Sequence, residues 1–313
     1  MRQSGFDVDA LADVAERLLP GSGRPRVERT PTGGSTPVYR IARDGTTLYL
    51  RLAEDAEDDP FSEALVHNLL RARGVRVPEV VHVEAFNPRL GRGLMVTSEI
   101  AGIPLSQDWR DVDIGQVLRA AGRDLALIND IGVDGFGWVR RDRPNADRLE
   151  AELPSLHRFV FDEIESHLAA LPIFYTYDEI RLIHRAIRLW DGLLDADRGL
   201  LAHGDFDTVH IYHRDGAYSG IIDFGEIRGT DRYYDLGHFA LYDGERFPGL
   251  ALPHLLAGYD EVFPLPPDHE YRVRLWSLLI GIRALARTVG REHAVEAQRH
   301  LLRAIKNAVV VLP

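Results

Sequence analysis

The sequence predicts an α+β fold with two lobes, a small antiparallel sheet followed by a mostly helical region. The N-terminal part contains short apolar strands on either side of an Asp44-Gly45 turn. The C-terminal part instead repeats apolar residues at helical spacing, most clearly over 114–131. We therefore place the N-terminal lobe at residues 1–101 and the C-terminal lobe at residues 102–313.

The composition is that of an ordinary globular protein, with 45% hydrophobic and 27% charged residues. The absence of cysteine excludes disulfides and thiolate metal sites. A net charge of -11 disfavours nucleic acid as a partner. The sequence shows neither an apolar signal segment nor an apolar run of membrane-spanning length. We expect a cytoplasmic protein without a membrane partner; its oligomeric state is not encoded in these patterns.

Two aspartates flank a predicted hairpin in the C-terminal half. Asp205 ends the run Leu-Ala-His-Gly-Asp, and Asp223 lies in Ile-Ile-Asp-Phe-Gly. The strands 209–212 and 218–222, separated by an Asp-Gly turn, would bring both carboxylates to one end of a small sheet. Phosphoryl transfer from a Mg²⁺-bound nucleotide needs two such carboxylates. One orients the attacking hydroxyl and accepts its proton, and the other holds the metal.

These motifs resemble those of the aminoglycoside phosphotransferase family, which are small-molecule kinases with a protein-kinase-like fold. The family pattern runs His-Gly-Asp-x-x-x-x-Asn, then Ile-Asp-Trp or a variant, then Asp-x-x-x-Asp-Leu. The corresponding segments here are 203–210, 222–225 and 231–236. The resemblance extends over nearly the whole chain, and its specificity is concentrated in residues 201–236.

The resemblance implies a role for each residue of these motifs. Asp205 is the catalytic base or orienting group, and His203, the second catalytic residue, braces the loop that carries it. Asp223 binds Mg²⁺, and the phosphoryl donor is ATP or GTP. Asp235 is expected to brace the catalytic loop, and Asp231 to cap the helix that follows.

The chain departs from the family pattern at His210, where the family usually has a metal-binding asparagine. Macrolide phosphotransferases, a branch of the same family, look similar in carrying histidine there. A neutral imidazole can bind a metal, although Mg²⁺ prefers oxygen ligands. His210 is therefore a candidate second metal ligand. The alternative is a histidine that hydrogen-bonds Asp205 or a phosphate oxygen.

A kinase also needs a cation on an N-terminal strand to hold the donor phosphates. The single lysine, Lys306, lies near the C-terminus, so this cation must be an arginine. The resemblance implies Arg51, on strand 46–52, paired with Glu63 in the first turn of the next helix. The alternatives are a surface arginine, and a glutamate that complements the helix dipole.

Two further segments are expected to contact the nucleotide. The loop Gly33-Gly34-Ser35 can lay backbone N–H groups over phosphates, although it can equally be a plain turn. The resemblance implies that the backbone from Ser98 to Ile100 hydrogen-bonds the adenine or guanine edge. Backbone recognition of this kind does not distinguish ATP from GTP.

Together these observations predict a kinase that transfers the γ-phosphoryl group of a nucleoside triphosphate to a hydroxyl of a small molecule. An aminoglycoside, a macrolide, a sugar or an amino alcohol all fit as acceptors. The role in the cell, antibiotic resistance or metabolism, follows from none of these motifs. The alternative is a nucleotide-binding or regulatory module, similar to a pseudokinase, with little turnover. It is suggested by His210 in place of asparagine and Arg51 in place of lysine.

Overall fold

The computed structural model describes residues 6–30, 36–142, 147–244, 250–291 and 295–310. The chain divides into two compact units. The first unit contains Met1–Ala101 and Arg140–Leu149, and the second contains Gly102–Val139 and Glu150–Pro313.

The described part of the first unit consists of an antiparallel sheet and two helices. In chain order the elements are α1 (Val8–Leu18), β1 (Arg26–Arg29), β2 (Val38–Arg43), β3 (Thr46–Leu52), α2 (Phe61–Ala72), β4 (Val80–Asn87) and β5 (Arg92–Ser98). The sheet order is β1-β2-β3-β5-β4. The predicted turn between β2 and β3 is confirmed, because Asp44 and Gly45 both have positive φ, as a tight two-residue hairpin loop requires. Leu11 and Val14 of α1 are buried in one core with Ile41 and Leu50 of the sheet.

A segment from later in the chain belongs to the first unit. The Ser62 hydroxyl donates to the carbonyl of Arg140 (2.8 Å), and the Asp59 N–H donates to the carbonyl of Arg141 (3.1 Å). Arg140 and Arg141, which lie inside the lobe predicted from 102 onward, therefore pack with the N-terminal residues.

The second unit is mostly helical, with short strands between the helices. Its elements begin with β6 (Ile103–Pro104), α3 (Ile114–Ile128), β7 (Gly132–Val133), β8 (Phe136–Val139), β9 (Ala151–Leu153), α4 (Leu156–Phe161), α5 (Ile164–Ala169) and α6 (Tyr177–Trp190). They continue with β10 (Gly199–Ala202), β11 (Ile211–Arg214), β12 (Ala217–Ile221), β13 (Arg228–Thr230), α7 (Tyr234–Tyr242), α8 (Leu252–Asp260), α9 (His269–Ala286) and α10 (Val295–Val310). The strands form two sheets, of order β7-β10-β13-β8-β9 and β12-β11-β6.

The predicted hairpin is present, but its first strand lies further along the chain. The sequence predicts strand 209–212, whereas β11 begins at Ile211. Asp215 and Gly216 alone form the turn, with φ of 51° and 78°, so pairing continues up to the turn itself. His210 lies before the strand, in a turn closed by its own N–H donating to the carbonyl of residue 207 (2.9 Å).

The core of the second unit is built by helix packing. Helix α9 packs against α7 and α10, and α3 packs against α8. No helix in the described ranges combines the length and the apolar character needed to cross a membrane.

Candidate active site

The predicted catalytic loop, residues 203–210 between β10 and β11, is held by a buried carboxylate. Asp235, which is fully buried, accepts hydrogen bonds from the N–H groups of His203 (2.8 Å) and Gly204 (2.9 Å). It also accepts from the side-chain amide of Asn129 (2.9 Å). Asp235 therefore braces the catalytic loop, which confirms the role predicted for it.

A buried arginine holds the same loop from the other side. Arg228 donates to the carbonyl of Gly204 (3.0 Å) and stacks on Trp138, with its guanidinium carbon 4.2 Å from the ring centroid. Gly204 has φ of 89°, and a Cβ there would collide with the carbonyl of Glu226. Only glycine satisfies both conditions, which explains the Gly of the His-Gly-Asp motif.

Asp231 is not the N-cap residue of the following helix. The N-cap of α7 is Tyr233, which makes no side-chain capping bond. Asp231 instead accepts hydrogen bonds from the N–H of Tyr233 and from the indole of Trp276, each at 2.8 Å. The backbone of Tyr234, the first residue of α7, also hydrogen-bonds Asp231, so this side chain serves the start of the helix from two residues before its N-cap.

His203 is a buried link between the two aspartate segments. Its Nε2 lies 2.9 Å from the carbonyl of Ile222, the residue before Asp223, and its Nδ1 accepts from the N–H of Asp205 (3.3 Å). The ring is fully buried. Burial, together with the neighbouring His210, lowers the pKa of His203, so the ring is neutral at pH 7. His203 thus ties both aspartates into one framework.

Asp205 carries a half-exposed carboxylate on this fixed backbone. Its side chain is 46% exposed, and its Oδ1 lies 3.2 Å from Nε2 of His238. Burial by itself would raise the pKa of Asp205, but the hydrogen bond and charge of His238, with smaller effects of His210 and His203, hold that pKa below its usual range. Asp205 is therefore ionised at physiological pH and can accept a hydrogen bond from a hydroxyl.

His238 is a site residue that the motif search misses. It lies on the buried helix α7, three residues after Asp235. Residues three apart on a helix share a face, so the helix that presents Asp235 to the catalytic loop also presents His238 to it. That spacing is the signal in the sequence that could have found it.

Asp223 adopts a left-handed backbone conformation, with φ of 67° and ψ of 68°. This conformation is uncommon for a residue other than glycine and occurs at functional sites. The Asp223 side chain is 44% exposed, and its Oδ2 lies 3.6 Å from Nε2 of His210. The backbone therefore positions a carboxylate beside an imidazole.

His210 joins the two aspartate segments through its two ring nitrogens. Nδ1 lies 2.8 Å from the backbone carbonyl of Asp205, which can only accept, so Nδ1 carries a proton. Its Nε2 faces the Asp223 carboxylate. The hydrogen bond to Asp205 fits the alternative reading of this histidine, and a role as metal ligand stays a prediction.

The described residues contain no cluster of three or more histidine, aspartate or glutamate side chains that could hold a metal. Asp223 and His210 offer two donors. Mg²⁺ at nucleotide sites typically takes one or two protein ligands and completes its shell with phosphate oxygens and water. The donor set is compatible with a metal that arrives with a nucleotide.

The first unit contains the predicted ion pair. Arg51 Nη1 lies 3.2 Å from Oε1 of Glu63, and the side chains are 18% and 9% exposed. Arg51 also contacts the hydroxyl of Thr36 (3.4 Å). These three residues line one cleft together with Asp58 and Arg141. Glu63 therefore fixes a cation at the edge of a cleft.

The other predicted nucleotide contacts are less defined. The N–H of Ser98 donates to the carbonyl of Glu79 (2.8 Å), so this donor is already engaged within the unit. Ile100 lies just beyond β5 and stays a candidate for a backbone contact. Gly33, Gly34 and Ser35 lie outside the described residues.

Comparison with known proteins identifies the family. A family model described as the phosphotransferase enzyme family matches residues 26–276. The chain belongs to this family. Among curated proteins it is similar to an aminoglycoside 3'-phosphotransferase of Enterococcus faecalis, with 21% identity over 219 residues, or 66% of this chain and 75% of the relative. The predicted resemblance is confirmed.

Solved structures show the same fold. Aminoglycoside phosphotransferase APH(4)-Ia superposes with a TM-score of 0.71 at 15% identity, covering 97% of this chain and 99% of that one. A thermostable mutant of the same enzyme, in a ternary complex with ADP and hygromycin B, has a TM-score of 0.69 at 15% identity, covering 95% and 97%. A putative fructosamine-3-kinase from Thermobifida fusca has a TM-score of 0.63 at 20% identity, covering 97% and 99%. The predicted α+β, protein-kinase-like fold is confirmed.

Proposed function

We propose that this phosphotransferase family member is a small-molecule kinase that transfers the γ-phosphoryl group of ATP or GTP to a substrate hydroxyl. The observation that carries the proposal is the state of Asp205. Its carboxylate is ionised and half-exposed, while Asp235 and Arg228 hold the loop backbone beneath it. A carboxylate fixed in this way is suited to orient one hydroxyl group.

The proposed reaction is an in-line displacement at phosphorus. The acceptor oxygen forms a bond to the γ-phosphorus as the bond to the β–γ bridging oxygen breaks, and the nucleoside diphosphate leaves with that electron pair. The hydroxyl proton passes to the Asp205 carboxylate and from there to solvent. Most of the rate enhancement in such reactions comes from positioning and charge stabilisation.

We assign charge stabilisation to an arginine and to an aspartate. Arg51, held by Glu63, would bind the donor phosphates. Asp223, with His210 beside it, would hold a Mg²⁺ ion. When bound, that ion neutralises phosphate charge. His203 would keep the Asp223 segment in register with Asp205 through the carbonyl of Ile222.

The relatives suggest the class of acceptor. They include an aminoglycoside phosphotransferase crystallised with hygromycin B and a putative fructosamine-3-kinase. A hydroxylated substrate that also carries amino groups agrees with these names and with the net charge of -11. We propose an aminoglycoside, amino sugar or amino alcohol, with a macrolide as a further candidate because of His210. A cytoplasmic location, where nucleoside triphosphates are available, belongs to the same proposal.

The test is a phosphorylation assay with a panel of these acceptors. At least one should accept phosphate from ATP or GTP. Asp205→Asn should then reduce turnover by roughly 10²- to 10⁴-fold, the usual contribution of a general base, with nucleotide affinity within a few-fold of the parent. Asp215→Asn, in an exposed turn, is the matched control and should behave like the parent protein.

Two outcomes would count against this function. Near-normal turnover of Asp205→Asn would place the catalytic carboxylate elsewhere. Tight nucleotide binding without transfer to any acceptor would instead favour the pseudokinase-like alternative, a nucleotide-binding or regulatory module.

A further inference from the structure

The imidazole of His238 lies between two groups that can only accept hydrogen bonds. Its Nε2 is 3.2 Å from Oδ1 of Asp205, and its Nδ1 is 3.1 Å from the backbone carbonyl of Phe206. Both contacts need an N–H on the histidine, because carboxylates and carbonyls carry no proton to donate. A ring that makes both bonds is an imidazolium.

The surroundings of His238 favour this charged state. The residue is 7% exposed. Burial by itself would lower the pKa of His238, but the hydrogen bond and charge of Asp205, followed by the Phe206 carbonyl and the charge of Asp207, raise it above its ordinary value. The carboxylates of Asp205 and Asp207 are the charged groups that the catalytic loop places near the ring.

The helices around this position add neutral groups and one further histidine. The Tyr242 ring of the same helix lies 5.2 Å from the His238 ring. Helix α9 places Trp276 and Ser277 against Gly237, the preceding residue, and neither carries a charge. On α10, His300 stacks on Tyr242 at 5.6 Å, and its Nε2 lies 2.6 Å from the carbonyl of Leu241.

We infer that His238 is a positioning residue for Asp205: its imidazolium holds Oδ1 in place and leaves Oδ2 to the acceptor hydroxyl. This inference rests on the proposed function of Asp205. The contact to Phe206 fixes the ring to the same loop that carries the carboxylate, so the orientation of the imidazole and that of Asp205 are set together. The imidazolium also stabilises the ionised carboxylate.

Loss of the His238 proton has a defined structural consequence. One ring nitrogen would then present a lone pair to an acceptor, either the Asp205 carboxylate or the Phe206 carbonyl. That contact is repulsive, so Asp205 would lose its fixed orientation. The rate of phosphoryl transfer should therefore fall on the alkaline side as His238 deprotonates.

The test compares pH–rate profiles of the parent protein with His238→Gln and His238→Leu, using an acceptor from the panel. Glutamine can donate to Asp205 without titrating, so His238→Gln should keep turnover within about tenfold of the parent. Its rate of phosphoryl transfer should no longer decrease at high pH. Leucine cannot donate, and a hydrogen bond to a charged group is typically worth roughly 10- to 100-fold, so His238→Leu should lose about that factor in kcat. The KM for the nucleotide should stay unchanged in both.

His300→Gln is the matched control, because His300 flanks the same Tyr242 but, within the part of the chain that the structure describes, makes no hydrogen bond to the catalytic loop. It should keep the profile of the parent. A His238→Leu protein with the kcat and the pH profile of the parent would overturn the inference. So would a glutamine variant that loses activity as completely as the leucine variant while both remain folded by circular dichroism.

A second measurement separates this inference from the proposed function. The ¹⁵N and ¹H resonances of the His238 ring, followed against pH by NMR, report protonation whether or not the protein transfers phosphate. In the parent protein we expect both ring nitrogens of His238 to be protonated at pH 7. In Asp205→Asn the ring should deprotonate at a lower pH than in the parent. A His238 ring that is neutral at pH 7 overturns the inference, even if an acceptor is phosphorylated. Absence of transfer with a protonated, Asp205-dependent His238 overturns only the proposed function.

Discussion

At the scale of single residues, the left-handed conformation of Asp223 allows a clean test of metal binding. Asparagine adopts positive φ at least as readily as aspartate, so Asp223→Asn should keep the backbone and remove only the negative charge. We expect the Mg²⁺-dependent part of nucleotide affinity to disappear. Calorimetric titration with and without Mg²⁺ measures it.

The control for this variant has the same backbone conformation. Asp215 also lies in the left-handed region, with φ of 51°, in an exposed turn. Asp215→Asn should retain the full effect of Mg²⁺. If Asp223→Asn retains it too, the metal is held by other residues.

The second residue-scale prediction concerns pH and stability at Asp231. Burial raises the pKa of Asp231 to about 6, despite its hydrogen bonds from Trp276 and Tyr233. Its Oδ2 has no hydrogen-bond partner among the described residues. Between its ordinary pKa of 3.8 and about 6, the folded state binds this proton and the unfolded state has released it. The contribution of Asp231 to the free energy of unfolding is therefore greatest below this pH range. It decreases by up to about 3 kcal/mol as the pH rises through the range.

Asp231→Asn should remove this dependence, because the amide does not titrate and its oxygen can still accept from Trp276. The free energy of unfolding, measured by urea denaturation from pH 4 to pH 7.5, should decline less steeply in the variant than in the parent. Asp195→Asn, at an exposed position, should follow the parent curve. If the free energy of unfolding has the same pH dependence in Asp231→Asn and in the parent, Asp231 is ionised in the folded protein over this whole pH range.

At the scale of elements, helices α3 and α8 approach each other through paired glycines. A Cβ on Gly122 would collide with the carbonyl of Leu255, and a Cβ on Gly258 with the carbonyl of Arg119. Each helix thus packs its backbone against a glycine of the other. Side chains at these two positions would force the helices apart.

Gly258→Ala should therefore destabilise the protein, although alanine is the better helix former. Overpacking of a well-packed contact costs about 1 to 3 kcal/mol, and the contact here is with backbone, which cannot rotate away. Denaturant unfolding measures the change. Gly192→Ala, where a Cβ would meet nothing within 4 Å, is the control and should be close to neutral. Equal stability of the two variants would mean that the helices can separate at little cost.

At the scale of the whole molecule, nucleotide binding should stabilise the folded chain. A ligand that binds only the folded state adds about 2.7 kcal/mol at a concentration 100 times its Kd. Thermal unfolding with Mg²⁺ and either ATP or GTP should show a rise in the apparent midpoint. The nucleotide with the larger shift at equal concentration is the one that binds more tightly. No shift with either would contradict nucleotide binding.

The sequence alone determined the features that depend on neighbouring residues. Asp-Gly pairs predicted both tight turns, because such pairs adopt the positive φ values that two-residue hairpin loops need. Apolar residues at helical spacing predicted helix α3. The order of the motifs around Asp205, Asp223 and Asp235 predicted the family and the fold. Each of these features depends on residues that are close in the sequence, so it can be predicted without the folded structure.

The tertiary structure alone decided which distant residues meet. It brings Asp205 into contact with His238. It also allows Arg228 to donate to the carbonyl of Gly204, and Trp276 to donate to Asp231. It also joined Arg140–Leu149 to the N-terminal residues. Each of these contacts joins segments separated along the chain, and their approach is set by helix and sheet packing rather than by local preference. The ion pair between Asp205 and His238 is therefore visible only in the folded chain.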